Sequence, residues 1–348
     1  AWNVVQALGE KVKEDEEQQV KALESNEIKG KKTREIIFEE ADGVWINMQG
    51  KDRPKKGKKR EMKVAVSYEG WRRTGKNRYE LVNKKACAGF EGAAEFYKKK
   101  EAMIAREYII DEVNMRILNG DGASWISDGI DDTVHYQLDP FHKYQAVVRS
   151  VKDKEERKKL IEMLQENKIK ESMEYITFLA NKAWEKEDEK REEKLVNLYK
   201  YFKNNKEGLL PYTERDLKIP EAPKGIIYRN LGTMEHHICD IIAQRMKHRK
   251  ASWSIQGASN LGKLLAAKKS GDLHNVINNF SKITLSESNT EEIIEILSAA
   301  KSPKKDGKGK IQSASKGKIP FGECSVTNGR KAIRKIFNIR EFSELIYR

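Results

Sequence analysis

Apolar and polar residues alternate in several short segments of the first 140 residues, as is typical of β-strands. Residues 61–68 (EMKVAVSY) place Met62, Val64 and Val66 on one face of an extended segment. The same reasoning predicts further strands at residues 34–41, 43–48, 78–82, 115–118 and 133–138. One helix is predicted among them, at residues 91–108, which are rich in Ala, Glu and Lys.

The pattern changes at Lys143, where long helices are predicted. Gly and Pro are absent from there to Glu207, and Glu, Lys, Leu and Met dominate. Residues 208–225 hold three of the seven prolines and are predicted to form a loop. More helices are predicted at residues 234–248, 259–268, 272–283 and 290–300. A run of strands followed by alternating helices and strands is the ribonuclease-H-like layout, an α/β fold with a mixed central sheet.

Composition narrows the class of protein. No stretch approaches eighteen consecutive apolar residues, so no membrane span is expected. The three cysteines form no CxxC pair, which argues against a disulfide framework or a zinc ribbon and favours a reducing compartment. The chain begins with Ala rather than Met, and we expect it to be a fragment.

The formal net charge of +14 is concentrated in three segments. Residues 51–63 and 301–318 carry +6 each, residues 243–269 carry +7, and the rest of the chain carries −5. Clustered bases on a mildly acidic background are typical of proteins that bind a polyanion, so we expect DNA as the partner. The alternative for each segment is an ordinary solvated loop. The DNA-binding candidates are Lys55, Lys56, Lys58, Lys59, Arg245, Lys247, Arg249, Lys250 and Trp253, the last of which is favoured to pack in the core instead.

Three carboxylates occupy positions that suit a site for two divalent cations. Asp42 lies in the first β region, Asp121 follows the strand at 115–118, and Glu235 opens a predicted helix. Mg²⁺ prefers carboxylate oxygens, and two such ions can activate an attacking oxygen and stabilise a leaving one. If these residues form such a site, their carboxylates should lie within about 8 Å of one another.

Each carboxylate also has a structural explanation. Asp42-Gly43 is a common hairpin-turn pair, and Asp128 competes with Asp121. Glu235 suits a helix N-terminus, while Glu214 and Glu221 are its rivals.

A further motif, Leu138-Asp139-Pro140-Phe141-His142, stands at the end of a predicted strand. The side chains of Asp139 and His142 can share a hydrogen bond that orients the imidazole beside a phosphate. Alternatively, Asp139 caps a helix and His142 lies on the surface. A zinc site using His236 and Asp240, beside His237 and Cys239, is the weaker metal hypothesis.

Together these motifs resemble the DDE transposases of bacterial insertion sequences, in particular the ISLre-type group, which is related to the Mutator-like superfamily. Asp42-Gly43, residues 120–126 (GDGASWI), residues 138–143 (LDPFHK) and Glu235 carry the resemblance. It spans about residues 34–270, and residues 120–143 are its most specific part. Asp139 to His142 fits the family's [C/D]xxH motif.

The resemblance implies a ribonuclease-H-like catalytic core interrupted by an all-helical insertion. Asp42, Asp121 and Glu235 would bind two Mg²⁺ ions, which Mn²⁺ can replace, and Asp139 and His142 would be auxiliary, positioning DNA or a flipped nucleotide. The expected reaction is cleavage at the element ends followed by attack of the 3′-hydroxyl on target DNA. The expected setting is a dimer or higher oligomer on DNA in the bacterial cytoplasm. The alternatives are a decayed, non-catalytic DNA-binding protein and a ribonuclease-H-like nuclease.

The expected domain organisation follows from the same reasoning. A helical remnant of an N-terminal region precedes a catalytic core that is split in two by the insertion, and a basic linker and a C-terminal segment follow. The boundaries are 1–33 for the remnant, 34–142 and 226–300 for the core, 143–225 for the insertion, 301–318 for the linker and 319–348 for the last segment.

Overall fold

A computed structural model describes residues 2–127, 130–232, 234–247 and 251–287, without the side chains of Glu235 and residues 282–287. Residues 1–286 form one compact unit. The predicted helix at 290–300, the linker at 301–318 and the segment at 319–348 lie outside the described residues, as does Asp128.

The described residues form a mixed α/β structure around a five-stranded sheet with the order β5-β2-β1-β6-β7. Strands β1, β6 and β7 are parallel to one another, and β2 is antiparallel to both β1 and β5. Strands β3 and β4 form a separate antiparallel pair. The strands are β1 Ile36–Asn47, β2 Lys59–Tyr68, β3 Trp71–Gly75, β4 Arg78–Leu81, β5 Lys85–Gly89, β6 Met115–Gly120 and β7 Val134–Leu138.

Helices cover both faces of the sheet and form the insertion. They are α1 Trp2–Glu24, α2 Ala93–Glu107, α3 Ser124–Ser127, α4 Pro140–Ser150, α5 Lys154–Gln165, α6 Ile169–Trp184, α7 Glu189–Asn204, α8 Met234–Ile238, α9 Gln244–Met246, α10 Ile255–Lys269 and α11 Leu273–Glu287. A π-helical turn, Cys239–Ala243, joins α8 to α9. Short 3₁₀ turns occur at Gly50–Asp52, Ile110–Glu112, Lys206–Leu209 and Tyr212–Glu214.

Strand β1 runs straight through Asp42 and Gly43, so the hairpin-turn interpretation of this pair is wrong. Asp42 is the register partner of Val64, and Gly43 is the partner of Lys63. The chain reverses later, in the basic loop between β1 and β2, where Gly50 and Gly57 have φ values of +56° and +82°. These positive values suit Gly because it has no Cβ.

The two faces of β1 pack against different layers. Phe38 and Val44 belong to a buried cluster that also contains Met234 and Ile238 of α8. Ile37 points to the opposite face, where a second cluster includes residues of α2. Since successive side chains of a strand alternate between faces, Asp42 shares the face of Phe38 and Val44 and therefore faces the layer of α8.

The predicted helical insertion has its own hydrophobic core. Residues of α4 to α7, among them Leu160, Ile176 and Phe202, form a cluster that also includes Leu138 at the end of β7. The segment after α7 returns to the sheet, because Tyr212 is fully buried and its N–H donates to the Gln137 side chain of β7 at 2.8 Å. The insertion is thus anchored at both of its ends to the edge of the sheet where β7 ends.

Candidate active site

Three aspartates lie side by side where the parallel part of the sheet ends. Ala41 of β1 is paired with Gly120 of β6, and Gly120 is paired with Leu138 of β7. The next residue on each strand is an aspartate, and neighbouring parallel strands are only about 4.8 Å apart. The N–H of Asp139 donates to the carbonyl of Gly120 at 2.7 Å, which holds two of these positions together. We call Asp42, Asp121, Asp139 and His142 the strand-end site.

Asp139 is the N-cap of α4. Its Oδ1 accepts hydrogen bonds from the N–H groups of Phe141 at 2.8 Å and His142 at 3.3 Å, while its Oδ2 accepts one from Asn119 Nδ2 at 2.7 Å. The side chain is almost fully buried. The N-cap interpretation is therefore the one observed, and the imidazole Nε2 of His142 lies against Asp42, not Asp139.

His142 pairs with Asp42 instead. Its Nε2 lies 3.4 Å from Asp42 Oδ2, while Asp42 Oδ1 accepts the N–H of Gly43 at 2.6 Å. The pKa of His142 is raised by its hydrogen bond with Asp42 and, despite partial burial, by the negative charges of Asp42, Asp139 and Asp121. The [C/D]xxH motif thus links β7 to β1 across β6: its Asp caps α4 directly after β7, and its His reaches Asp42 on β1.

Asp121 sits in a tight loop directly after β6. Its Oδ1 accepts the N–H of Ala123 at 2.8 Å, and its carbonyl accepts the hydroxyl of Tyr201 at 2.6 Å. Burial raises the pKa of Asp121, and the charge of Asp42 raises it further. The charged form of this carboxylate is therefore disfavoured in the metal-free protein, and a bound cation would stabilise it.

Glu61 is a fourth carboxylate near this site that sequence reasoning missed. Its pKa is raised by burial and by the charges of Asp121 and Asp42, although Lys63 opposes this shift. A Cβ at residue 43 would collide with the Glu61 carboxylate, so Gly43 leaves room for it. One signal was present in the sequence, a glutamate within a basic segment. The sequence alone could not show that the Glu61 carboxylate lies against Gly43 of β1, because that contact depends on the pairing of β1 with β2.

Glu235 is the second residue of α8, and the position of its side chain lies outside what the structure describes. The helix itself lies on the Asp42 face of the sheet, since Met234 and Ile238 pack in the cluster around Phe38. The rivals Glu214 and Glu221 are exposed in the segment between α7 and α8. The 3₁₀ turn that ends at Glu214 also packs on this face through Tyr212, so the packing of α8 keeps Glu235 as a candidate without excluding Glu214.

A chain of buried polar side chains connects the site to the α8 layer. Asn119 Nδ2 donates to Glu40 at 3.1 Å as well as to Asp139, and the Tyr68 hydroxyl donates to Glu40 at 2.8 Å. Nε2 of His237 on α8 lies 3.9 Å from the same Glu40 carboxylate. Sequence reasoning missed Glu40 and Asn119, although Glu40 shares the face of Asp42 by strand alternation.

The available ligands can be set beside the preference of divalent cations such as Mg²⁺ for oxygen donors. Asp42 and Asp121 supply carboxylate oxygens on neighbouring strands, which suits Mg²⁺. Among the described side chains, no group of three or more His, Cys, Asp or Glu is arranged to hold a metal ion. Asp42 and Asp121 are two carboxylates of the type that Mg²⁺ prefers, and the side chain of Glu235, the candidate for a third ligand, lies outside the described residues.

The zinc hypothesis gains nothing from the observed contacts. Asp240 Oδ1 accepts a hydrogen bond from Lys269 at 2.6 Å, and His236 is exposed. Burial lowers the pKa of His237 to about 3, with help from the charges of Lys84 and His236. His237 is thus kept neutral in the layer beneath the site.

Two of the three basic segments meet at the far end of the β1–β2 hairpin. Trp253 hydrogen bonds through its backbone to Asn47 and Gln49, beside the loop that carries Lys55, Lys56, Lys58 and Lys59. These four lysines are exposed, as are Arg245 and Lys247 near α9. Arg249 and Lys250 lie outside the described residues. We call these four lysines with Arg245 and Lys247 the basic surface; along β1 its edge lies about 17 Å from Asp42.

Trp253 itself is held within this junction. Its indole N–H donates to the carbonyl of Met246 at 2.9 Å, and its ring centroid lies 5.9 Å from that of Trp2. The side chain packs against the main cluster. These contacts favour the packing interpretation of Trp253 over a role in stacking on DNA bases.

The pair of His142 and Asp42 predicts a pH-dependent stability. A raised folded-state pKa means that His142 stabilises the fold fully below its unfolded pKa of about 6.5 and that this contribution is lost as the pH rises through the folded value. His142→Gln should therefore cost more stability at about pH 5 than at about pH 9, as measured by urea unfolding of the metal-free protein.

His135→Gln is the matched control for this measurement. Burial and the charge of Arg215 lower the pKa of His135, so its protonation destabilises the fold at acidic pH. The control should accordingly show the opposite sign, with a relative gain in stability at low pH. Equal losses for His142→Gln at both pH values would contradict the pairing with Asp42.

None of the described helices is both long and apolar enough to cross a membrane.

Comparison with known proteins identifies the chain's relatives. A model of UPF0236, an uncharacterised protein family, matches residues 5–281. A UPF0236 protein of Caldanaerobacter subterraneus subsp. tengcongensis is 28% identical over 255 residues, which cover 72% of this chain and 51% of that protein. Another from the same organism, whose name joins eleven locus labels, is 27% identical over 72% of this chain and 50% of its own length.

A third relative comes from a different organism. The UPF0236 protein of Streptococcus gallolyticus named for the vanSb 3′ region is 25% identical over 68% of this chain and 50% of its own length. The chain thus spans about half the length of these relatives.

Proposed function

The chain belongs to the uncharacterised family UPF0236, and we propose that it carries the catalytic core of a DDE-type DNA transposase of a bacterial insertion sequence. In this proposal it cuts DNA strands at the element ends and transfers the resulting 3′-hydroxyl into target DNA, in the cytoplasm and as a dimer or larger assembly. The observation that carries the proposal is the adjacency of Asp42 and Asp121. Each directly follows one member of the pair Ala41–Gly120, with which the parallel pairing of β1 and β6 ends, and Asp42 lies on the sheet face that α8 covers.

The sheet supports a ribonuclease-H-like core. Strands β1, β2 and β5 form an antiparallel meander, and β6 and β7 extend the sheet in parallel on the other side of β1. This matches the layout of a meander followed by alternating helices and strands. The helices from α4 to α7 stand between β7 and α8, where the resembling transposases carry an insertion.

The residues of the strand-end site have separable roles in this chemistry. Asp42, Asp121 and Glu235 would hold divalent cations, which supply charge stabilisation for the attacking and leaving oxygens. Asp139 holds the first turn of α4 in place, and that turn carries His142. His142 Nε2 lies 3.4 Å from Asp42 Oδ2, so the protonated imidazole would orient this carboxylate and add positive charge beside a phosphate.

The charge distribution supports DNA as the substrate. The basic surface gathers six exposed bases from two separate segments at one end of the hairpin. Lysine and arginine contacts to phosphates position a protein on a duplex without reading its sequence.

One relative's name adds a different kind of support. A name that joins eleven locus labels of one organism is what repeated copies of a gene would produce. Repeated copies are what a mobile element leaves behind.

A cleavage and joining assay tests the proposal. The purified protein is incubated with a supercoiled plasmid that carries the DNA bordering its gene on both sides. Nicking at those borders and joining of the ends to a second plasmid, with Mg²⁺ or Mn²⁺ but not with EDTA, is the expected result.

Two other outcomes would overturn the proposal. Binding without cutting under any metal condition would indicate a non-catalytic DNA-binding protein. Cutting at random positions without joining would indicate a nuclease instead.

Removal of the lysines in the basic surface should weaken DNA binding uniformly. Replacing Lys55, Lys56, Lys58 and Lys59 by Ala should lower affinity for any duplex and reduce the slope of log affinity against log salt by about 0.9 for each phosphate that is no longer neutralised. Fluorescence anisotropy over a salt series measures both. Substituting four exposed lysines of the insertion, Lys158, Lys170, Lys190 and Lys200, gives the same charge change elsewhere, and an equal effect there would contradict a localised surface.

A further inference from the structure

An open groove of about 570 Å³ runs between α6 and α7 at the surface of the helical insertion. Its lining residues all lie between 169 and 210 in the chain, so the groove belongs to the insertion and is separate from the strand-end site. The apolar part of the lining comes from Ile169 and Met173 on α6, Tyr199 on α7, and Leu210.

The apolar wall of the groove continues as a stripe along α6. Four residues spaced by four, three and four positions lie on one side of this helix. They are Met173, Thr177, Ala180 and Trp184. Each directly follows a buried residue of α6, so the stripe lies about 100° around the helix from the side that packs into the insertion core. We call the groove and this stripe the insertion surface.

Trp184 makes the insertion surface suitable for contact with another protein. It ends the stripe with 68% of its surface exposed. Trp, Tyr and Met are enriched in the central contacts of protein–protein interfaces, and Trp is among the residues that contribute most to their affinity. The stripe supplies Met173 and Trp184, and the groove beside it supplies Tyr199.

The two ends of the insertion surface carry opposite charges. Three lysines and one glutamate line the groove, namely Lys170, Lys203, Lys206 and Glu174. At the other end, residues 185–192 (EKEDEKRE) form the turn from α6 into α7 and hold five acids and three bases. One end is therefore positive and the other negative, and a reversed copy of the same surface would complement both.

We propose that the insertion surface binds the same surface of a second copy of this chain, with the two α6 helices antiparallel across a two-fold axis. In such a contact, residue i of one copy meets residue j of the other, and j meets i. With the axis midway between Thr177 and Ala180, Met173 of each copy meets Trp184 of the other. The two central residues are small and let the helices approach closely, while the negative turn of each copy lies over the positive groove of the other.

The size of Trp184 fits what a stable dimer needs. A Trp side chain buries about 150–250 Å², so two of them supply roughly a quarter of the ~1,600 Å² that a standard interface buries. The thioether of Met173 against the indole ring adds a favourable sulfur–aromatic contact. The acidic turn disfavours DNA as the occupant, because it would repel phosphates.

This inference goes beyond the proposed function, which includes a dimer without stating which surface forms it. Helix α7 also contacts the strand-end site, because the Tyr201 hydroxyl donates to the carbonyl of Asp121 at 2.6 Å. A dimer formed through α6 and α7 would therefore connect two strand-end sites through packed helices. Such a connection suits an enzyme that has to cut two DNA ends together.

Sedimentation velocity of the purified chain without DNA, over a concentration series, tests the inference. The expected result is a reversible equilibrium between monomer and dimer. Trp184→Ala should weaken the dimer about a hundredfold, because a central interface Trp is a typical hot spot. Trp45→Ala removes another exposed Trp, on β1, and should leave the dissociation constant unchanged. A chain that stays monomeric, or a dimer that Trp184→Ala leaves intact, would overturn the inference.

A charge exchange tests the antiparallel arrangement. The same two-fold register places Lys170 of one copy opposite Glu187 of the other, and both side chains are exposed. Lys170→Glu and Glu187→Lys should each weaken the dimer about tenfold, because the pair occurs twice and each change brings like charges together. The double variant should regain the wild-type affinity. If the two losses simply add in the double variant, the antiparallel arrangement is wrong.

The two proposals fail separately in this design. Cleavage and joining by a protein whose dimer survives Trp184→Ala would overturn the role of the insertion surface alone. A dimer that depends on Trp184, in a protein that never cuts DNA, would leave this inference standing and overturn the proposed function.

Discussion

Asp121→Asn is expected to lower metal-dependent DNA cleavage and joining about a thousandfold while leaving DNA binding intact. A carboxylate that holds a catalytic cation contributes several kcal/mol of charge stabilisation in the transition state, and a loss of about 4 kcal/mol is about a thousandfold in rate. The amide has nearly the same shape but no charge. Its oxygen can still accept the N–H of Ala123, so the loop should keep its conformation.

The free energy of unfolding of Asp121→Asn should not fall. An unchanged stability would show that the lost activity comes from the missing charge and not from a damaged fold. Because the folded-state pKa of Asp121 is raised, its ionised form destabilises the metal-free fold above the titration range of this group. Replacement by a neutral amide removes that penalty. Urea unfolding at neutral pH in EDTA should therefore show equal or higher stability for Asp121→Asn than for the wild type.

The matched control is a substitution before the start of β6, whereas Asp121 follows its end. Asp111 is exposed in the 3₁₀ turn before β6, and Asp111→Asn makes the same chemical change away from the strand-end site. Its cleavage rate should equal that of the wild type. Undiminished cleavage and joining by Asp121→Asn would show that Asp121 does not bind the catalytic metal. The proposed catalytic function would then be wrong.

Arg116→Ala is expected to destabilise the fold by about 3–5 kcal/mol, the largest stability effect that we predict. Arg116 of β6 is buried and donates from Nε to Glu39 at 2.6 Å and from both terminal nitrogens to Glu101 at 2.7 and 2.8 Å. Lys100 donates to Glu39 at 2.8 Å. Burial alone would raise the pKa of Glu39, but the charges of Arg116 and Lys100 outweigh burial and lower it to about 2.

The cost arises because one partner of a buried ion pair is left behind. Without Arg116, the Glu39 carboxylate keeps only Lys100 as a charged partner in a site that excludes water. Urea unfolding measures the loss, and Arg72→Ala is the control, because Arg72 pairs with Glu80 on the surface of the β3–β4 hairpin. Such an exposed pair contributes about 0–1 kcal/mol. A loss below about 1 kcal/mol for Arg116→Ala would show that Glu39 finds compensation elsewhere.

Hydrophobic periodicity predicted the strands in which polar and apolar residues alternate and those that are mostly apolar. It missed β3 and β5, which have neither pattern. The segment 61–68 lies within β2, and 115–118 lies within β6. Strand β5 (Lys85–Gly89) was missed because its small residues are buried on both faces and show no alternation. Strand β3 was missed because its charged residues are stabilised only by pairing with β4.

The helix boundaries show the same limit. The helix predicted at 259–268 begins at Ile255, because Ser254 caps it by accepting the N–H of Gly257 at 3.1 Å. Four helices fill the stretch that lacks Gly and Pro, and their ends at residues 150, 165 and 184 were not predicted. Caps and breaks of this kind depend on single hydrogen bonds and on tertiary packing, which propensity does not report.

The sequence by itself determined the charge segments, the alternation of the core strands, the helical insertion and the candidates Asp42, Asp121, Asp139 and His142. Only the tertiary structure decided that Asp42, Asp121 and Asp139 lie side by side where the parallel pairing of the sheet ends, and that His142 pairs with Asp42. It also decided that Glu61 and Glu40 lie near these residues. The packing of α6 beside α7 likewise formed the groove of the insertion surface. The physical reason is sequence separation. Hydrophobic periodicity reports on residues a few positions apart, whereas strand register and helix docking join residues far apart in the chain, such as Gln6 and Asn260, which are 254 positions apart.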